Sequence, residues 1–260
     1  MNRHLQDSIE YASQRSYLDD LYRVYPVRSN GLRDINEQAW AQVVKAFKAQ
    51  NNARLVSALL KLDLFPFKDS YVAYLRRDPS ALSRNPQTIN RLAGVAYELG
   101  LVELYKQSSV PKESNRQMGA SFREWVSRGV LGLQPVSLEA FTSTTENAIL
   151  DASDAAMQQF AQEHLGYTRS KGLDFLARFN GKYVIGEAKF LTDFGGHQNA
   201  QFEDAMATLT TKRTRAVHVA ILDGVLYIPS RNKMYRAITT TYARCNIMSA
   251  LLLREFLYQV

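Results

Sequence analysis

Asp174, Glu187 and Lys189 are the residues of this chain whose types and spacing together could do chemistry. They fall in the stretch Lys171–Lys189, K-G-L-D-F-L-A-R-F-N-G-K-Y-V-I-G-E-A-K, with Asn180-Gly181 between two strand-like runs. Asn-Gly is the strongest short hairpin signal, because a type I′ turn needs positive φ at both central positions. A two-residue loop there pairs Phe179 with Lys182, Ala177 with Val184 and Leu176 with Ile185, and by extension Asp174 with Glu187. Directly opposed residues hold their Cβ atoms about 5 Å apart. Two carboxylates at that spacing repel each other unless a cation or a shared proton intervenes. Two hard oxygen ligands with open positions describe a Mg2+ site, where water and a substrate phosphate complete the octahedron. Lys189 lies two residues beyond Glu187 and so points to the same face.

A metal ion there would polarise a phosphoryl oxygen and lower the pKa of a water. Lys189 would orient or deprotonate that water, or stabilise the pentacoordinate charge. The chemistry is hydrolysis of a phosphodiester by in-line attack. Glu-x-Lys alone is a frequent tripeptide and reads as an exposed strand edge. The opposed Asp, the apolar flanks in VIGEAKFL and a helix upstream favour the catalytic reading.

The elements that must position this set form an α/β (α+β) pattern, a mixed central sheet flanked by helices. Ser143–His164 is expected as a long helix, Gly172–Phe179 and Lys182–Leu191 as strands, Asn199–Thr211 as a helix and Ala216–Leu222 as a buried strand. Asp223-Gly224 reads as a hairpin turn into Val225–Ile228, and Thr239–Tyr258 as a closing helix. Leu173, Phe175, Ala177, Phe179 and Val184 give the hairpin a core face; the charged residues sit at the open end of the other.

The chain before this core is mostly helical. Leu32–Gln50 and Ala53–Leu62 are helix candidates. So is Asn85–Gly100, with Asn85 as N-cap, Pro86 at the first helical position and Gly100 as stop. Leu101–Tyr105 then reads as a strand. Residues 81–105 thereby resemble the recognition helix and wing of a winged-helix DNA-binding unit, with Arg84, Asn90 and Arg91 as exposed contacts; the alternative is an ordinary core helix on a strand. Gln117–Arg128 is an amphipathic helix with Arg116, Arg123 and Arg128 on its basic side. Breaks fall at the polar stretch Lys106–Gln117 and near Leu133–Ser143, and we divide the chain into a helical region, 1–135, and a core, 136–260.

Asp–x12–Glu-Ala-Lys on a hairpin, after a helix and before a helix and a further strand, resembles the PD-(D/E)xK nuclease core, over roughly 143–228. Asp174 matches the motif's first acid, Glu187 its second and Lys189 its Lys; Leu173 replaces the Pro that often precedes the Asp. In length, in the size of the N-terminal region and in Phe190–Gln201 the chain looks most like a type II restriction endonuclease. That resemblance implies Mg2+-dependent cleavage of double-stranded DNA at a short specific sequence, with Mn2+ able to substitute. It also implies a homodimer, a cognate DNA methyltransferase as genetic partner, and a prokaryotic cytoplasmic setting with no membrane. The implied metal ligands are Asp174, Glu187 and the backbone carbonyl of Ala188. Glu146 is a further candidate ligand, or else the closing residue of a capping box, Ser143-Thr-Thr-Glu146. The competing readings are a structure-specific repair or junction nuclease on the same core, and a non-catalytic DNA-binding regulator using residues 85–105.

Other candidates are DNA contacts. Gln198, Asn199 and Gln201 carry amides able to read adenine edges or orient water. Lys212, Arg213, Arg215, Arg231 and Lys233 form basic clusters beside strand ends that suit phosphates. The same positions read equally as solvated loops. Lys+Arg 32 against Asp+Glu 25 gives +7, which permits a polyanionic partner. Residues 1–140 hold 19 basic against 14 acidic residues, so most of the excess lies outside the motif. We therefore expect the N-terminal region to help hold the duplex. There is no apolar run of about 18 residues for a membrane span and no secretory h-region. The single cysteine, Cys245, fits a reducing compartment. No Walker loop, zinc spacing or G-x-S-x-G elbow occurs.

Overall fold

The computed structural model describes residues 1–14, 16–26, 34–110 and 114–260, with side chains described for all of these except 114–118. The chain forms two compact units: Met1–Val27 with Glu113–Val260, and Arg28–Lys112. The unit boundary after Lys112 falls inside the polar stretch Lys106–Gln117. The 135/136 division differs from the structure at the N-terminus, because helices α1 (Arg3–Ala12) and α2 (Tyr17–Val24) pack with the sheet. Leu5, Tyr17, Leu21 and Tyr25 are buried in the same core as Phe175 and Phe179. An amphipathic helix carries no mark of which distant core it joins.

The regular elements of the second unit, among its described residues, are all helices: α3 (Glu37–Lys48), α4 (Asn52–Leu60), α5 (Val72–Arg77), α6 (Ala81–Arg84) and α7 (Pro86–Ser108). Its own core gathers Val43, Leu55, Val56, Leu59, Ile89, Leu92, Ala96 and Leu104. The expected strand at Leu101–Tyr105 is helix, so residues 81–105 have no wing. Gly100, at φ 73 and ψ 161, leaves helical geometry, so the helix from Pro86 stops there as expected and a second helical run follows across the kink within α7. The helix resumes because Leu104 is fully buried one turn on and Gln107 Nε2 bonds Glu103 Oε1 at 2.6 Å.

In the first unit the chain continues through α8 (Ser114–Ser127), α9 (Leu138–Ser143), β1 (Ala148–Ile149), α10 (Asp154–Leu165), β2 (Phe175–Phe179) and β3 (Lys182–Leu191). It ends with α11 (Gly196–Leu209), β4 (Ala216–Gly224), α12 (Lys233–Thr239), β5 (Ile247–Met248) and α13 (Leu253–Gln259). The five strands lie in sequence order. β1–β2 and β2–β3 are antiparallel; β3–β4 and β4–β5 are parallel. The hairpin register is the one the Asn-Gly turn dictates, with Phe179 opposite Lys182 and Leu176 opposite Ile185. Asn180 and Gly181 both take positive φ, at 51° and 73°.

Both faces of the hairpin are buried, rather than one. Ile149, Phe175, Ala177, Phe179, Val184 and Ala188 join one core. Leu150, Leu173, Leu176 and Ile185 join another, under Met157, Phe160, Ala161 and Leu165 of α10. A glycine is required at position 186: a Cβ there would lie 2.5 Å from the Val219 carbonyl oxygen, so only Gly lets β3 and β4 approach this closely beside Glu187.

Three further expectations are corrected. Ser143–His164 is not one helix; Thr144 is extended, and α10 starts only at Asp154, capped by Ser153, whose hydroxyl accepts from the Ala156 N–H at 3.2 Å. The β-branched run Thr144-Thr145 suits extended chain better than helix. β4 continues through Asp223-Gly224, because Leu191 of β3 still pairs with Gly224, and a short 3-10 turn at Val225–Tyr227 follows. The closing segment is α12, β5 and α13, not one helix. No helix among the described residues is long and apolar enough to cross a membrane.

Candidate active site

The sheet brings Asp174, Glu187 and Lys189 together where β2 begins and β3 nears its end. Asp174 immediately precedes β2, and its N–H donates to the Gly186 carbonyl at 3.1 Å, extending the hairpin by one pair. Alternation along β3 then sets Glu187 and Lys189 on the face of Asp174. Asp174 Oδ2 accepts from the Ala188 N–H at 3.0 Å and from Lys189 Nζ. Lys189 Nζ also lies 2.8 Å from Glu187 Oε2. One ammonium thus bridges both carboxylates and marks the point on which their oxygens converge.

Glu187 is 1% exposed. Burial pushes its carboxyl above the usual range and Asp174 adds to this, while Lys189 and Lys171 pull the other way. Burial works against the charged form of Lys189, but Asp174 and Glu187 outweigh it and hold the ammonium above its ordinary pKa.

Residues that the sequence reading missed complete the surroundings of Glu187. Lys171 Nζ lies 3.4 Å from Glu187 Oε2 and 3.0 Å from Asp204 Oδ2 of α11. Thr208 of α11 donates to Glu187 Oε1 at 3.5 Å, and Arg169 Nη1 bonds Thr208 Oγ1 at 2.6 Å. Asp204 and Thr208 are four apart on α11, one face of a helix, which is the one signal the sequence offered. Nothing local tied that face to Glu187.

Glu146 is exposed and stands at the other end of the hairpin: its backbone carbonyl accepts from Arg178 Nε at 2.9 Å, and the neighbouring Ala148 pairs with Arg178. It is neither beside Asp174 nor a cap, since the helix it was expected to open starts at Asp154 with Ser153 as its cap. Asp151, by contrast, lines a small cavity of about 40 Å3 with Asp174 and Arg123. Arg123 Nη1 pairs with Asp154 Oδ1 at 2.8 Å. Among the described residues no group of three or more His, Cys, Asp and Glu could hold a metal ion. The oxygen donors that the structure brings together for a cation are therefore the two carboxylates of Asp174 and Glu187. They fit a hard cation that retains waters, such as Mg2+.

The amide candidates are tied into the fold. Gln198 is buried and makes two bonds to Thr192, accepting from its N–H at 3.3 Å and donating to its hydroxyl at 3.1 Å. Asn199 donates to the Phe194 carbonyl at 3.2 Å, and Gln201 lies 3.0 Å from His197 Nε2. Lys212, Arg213 and Arg215 precede β4 at the end away from Lys189; Arg215 bonds the His164 carbonyl at 3.0 Å. Arg231 and Lys233 follow β4, at the end nearer Lys189, and Lys233 pairs with Glu203 at 2.9 Å. Arg84, Asn90 and Arg91 belong to the second unit and are engaged by Asp78, Asn52 and Asp69. Arg116 lies in α8, but its side chain is outside those described.

The family model that matches this chain describes a type II restriction enzyme, and the match runs over residues 2–260. The chain belongs to the Tsp45I type II restriction enzyme family and is a site-specific deoxyribonuclease. No curated protein and no solved structure matches it.

Proposed function

We propose that this enzyme cuts both strands of DNA at a short specific sequence by Mg2+-dependent hydrolysis, with Mn2+ able to substitute, at Asp174, Glu187 and Lys189 in the manner of PD-(D/E)xK nucleases. The observation that carries this reading is the convergence of two carboxylates on one ammonium at an end of the sheet. Asp174, Glu187 and the Ala188 carbonyl would hold the ion. When bound, such an ion withdraws charge from a phosphoryl oxygen and acidifies water. Lys189 keeps a positive charge beside the scissile phosphate as negative charge builds on its oxygens. Lys171, braced by Asp204, fixes the orientation of Glu187. Arg123 and Arg231 are the candidate phosphate contacts nearest this end of the sheet. One site per chain and two strands to cut call for a homodimer, and a methyltransferase of the same specificity would protect the host.

The test is a digest of phage or plasmid DNA with purified protein and Mg2+. Discrete bands are expected, absent with EDTA and absent for Asp174→Ala. Cleavage confined to branched or damaged DNA would favour a repair nuclease instead.

A further inference from the structure

The helical unit carries a second basic feature, distinct from the arginines that the sequence pointed to. Its described arginines on α5–α7 are mostly spent: Arg84 on Asp78, Arg91 on Asp69, and Arg76 on the Leu62 carbonyl. A groove of about 560 Å3 runs between α3 and α4, with Leu82 and Ser83 of α6 at its edge. Lys45, Arg54 and Lys61 line it, no acidic residue does, and all three are exposed. None of the three side-chain cations has an ion-pair or hydrogen-bond partner among the described residues. Gln42, Ser57 and Ser83 add neutral donors, and most of the remaining lining is alanine, which keeps the floor low.

We propose that this groove holds the sugar–phosphate backbone of the DNA substrate. Arg54 and Ser57 lie on one face of α4, and Lys61, its C-cap, continues the same helical spacing. Arg54 and Lys61 are seven residues apart, a rise of about 10.5 Å. One DNA strand carries a phosphate per roughly 3.4 Å of axis, so the two cations span about three phosphates, with the Ser57 hydroxyl between them. Lys45 faces them from α3. A lining of three unpaired cations with no carboxylate suits a polyanion, and DNA is the polyanion that this family acts on. Contacts of this kind grip any sequence equally and set register for the groups that read bases. The groove thus contributes affinity, not specificity. This gives the basic excess of the N-terminal region a location on α3 and α4 rather than on α7.

The experiment uses the full chain in EDTA, with Asp174, Glu187 and Lys189 untouched, so its outcome is independent of the catalytic assignment. Binding of a fluorescent 30-base-pair duplex of arbitrary sequence is followed by anisotropy against salt. The K45A/R54A/K61A variant is expected to lose affinity on the order of 10²-fold at 0.1 M salt, with a salt slope shallower by about 2.7. The single variant Lys61→Gln is expected to flatten the slope by about 0.9, which keeps the proposal testable if the triple variant misfolds. The control triple R84A/R91A/K106A removes the same charge from cations paired within the unit, and should change binding only a few-fold. Equal losses for the two triples, or an unchanged slope for K45A/R54A/K61A, would overturn the proposal.

Discussion

Glu187 and Asp223 are both buried acids, in the neighbouring parallel strands β3 and β4, and they are held in opposite ways. Glu187 faces cations: Lys189 at 2.8 Å and Lys171 at 3.4 Å, with a single distant hydroxyl donor, Thr208 at 3.5 Å. Asp223 faces neutral donors: Ser249 Oγ at 2.5 Å, Tyr25 OH at 3.0 Å, the Ala250 N–H at 3.1 Å and Tyr17 OH at 3.3 Å. A carboxylate satisfied by fixed dipoles has no need of an ion and ties elements together; here it joins α2 to the sheet and to the 3-10 turn Ala250–Leu252 that precedes α13. A carboxylate balanced mainly by side-chain ammonium groups can exchange such a partner for a metal ion. The surroundings, not the residue type, separate a structural acid from the acid proposed here as catalytic.

The contrast breaks first at the catalytic end. Asp174→Ala and Lys189→Ala are each expected to lower cleavage by about 10³-fold or more, while circular dichroism shows an intact fold. Asp223→Ala should show the reverse pattern. It strands three hydroxyls and an N–H in the core, a cost of about 3 kcal/mol or more in unfolding free energy. Wild-type stability for that variant would show that the network ties nothing together.

The pH dependence sharpens the same difference. Burial raises Asp223 from its ordinary value to about 6, against the pull of its donors. An acid whose folded pKa exceeds its unfolded value is favoured when protonated. Its contribution is therefore complete below pH 4 and lost as pH rises through about 6, a change of about 3 kcal/mol. Denaturant unfolding at pH 4 and pH 6.5 should show the wild type losing about 2 kcal/mol more than Asp223→Asn; parallel losses would contradict the account. The smallest effect is expected at Lys171. Lys171→Ala should raise the Mg2+ concentration needed for half-maximal cleavage about 10-fold, with partial recovery in Lys171→Arg. A change in rate at saturating Mg2+ without a shift in that midpoint would argue against a role through Glu187.

The hairpin was legible because its information is local. Asn180-Gly181 dictates the turn, the turn dictates the register, and the register carries Asp174 to Glu187. What escaped depended on distant partners. Thr208 meets Glu187, and Asp204 meets the Lys171 that pairs with Glu187, because α11 packs across β3, and the N-terminal helices join the sheet through Tyr17 and Tyr25 some 200 residues before Asp223. Asp223-Gly224 looked like a hairpin turn because the dipeptide rule knows nothing of a β3 partner that keeps the strand straight. Ser143-Thr-Thr-Glu146 matched a capping pattern, but the cap in use is Ser153. Leu101–Tyr105 fits strand and helix equally over so short a run, and Leu104 in the core decides for helix.

The central claim is that Asp174 and Glu187 form one divalent-cation site. Titration of Mn2+ followed by loss of its free-ion EPR signal tests it without knowledge of the DNA target. Wild-type protein should take up Mn2+ that the D174N/E187Q variant, folded by circular dichroism, does not. Equal uptake by the two proteins would contradict the account.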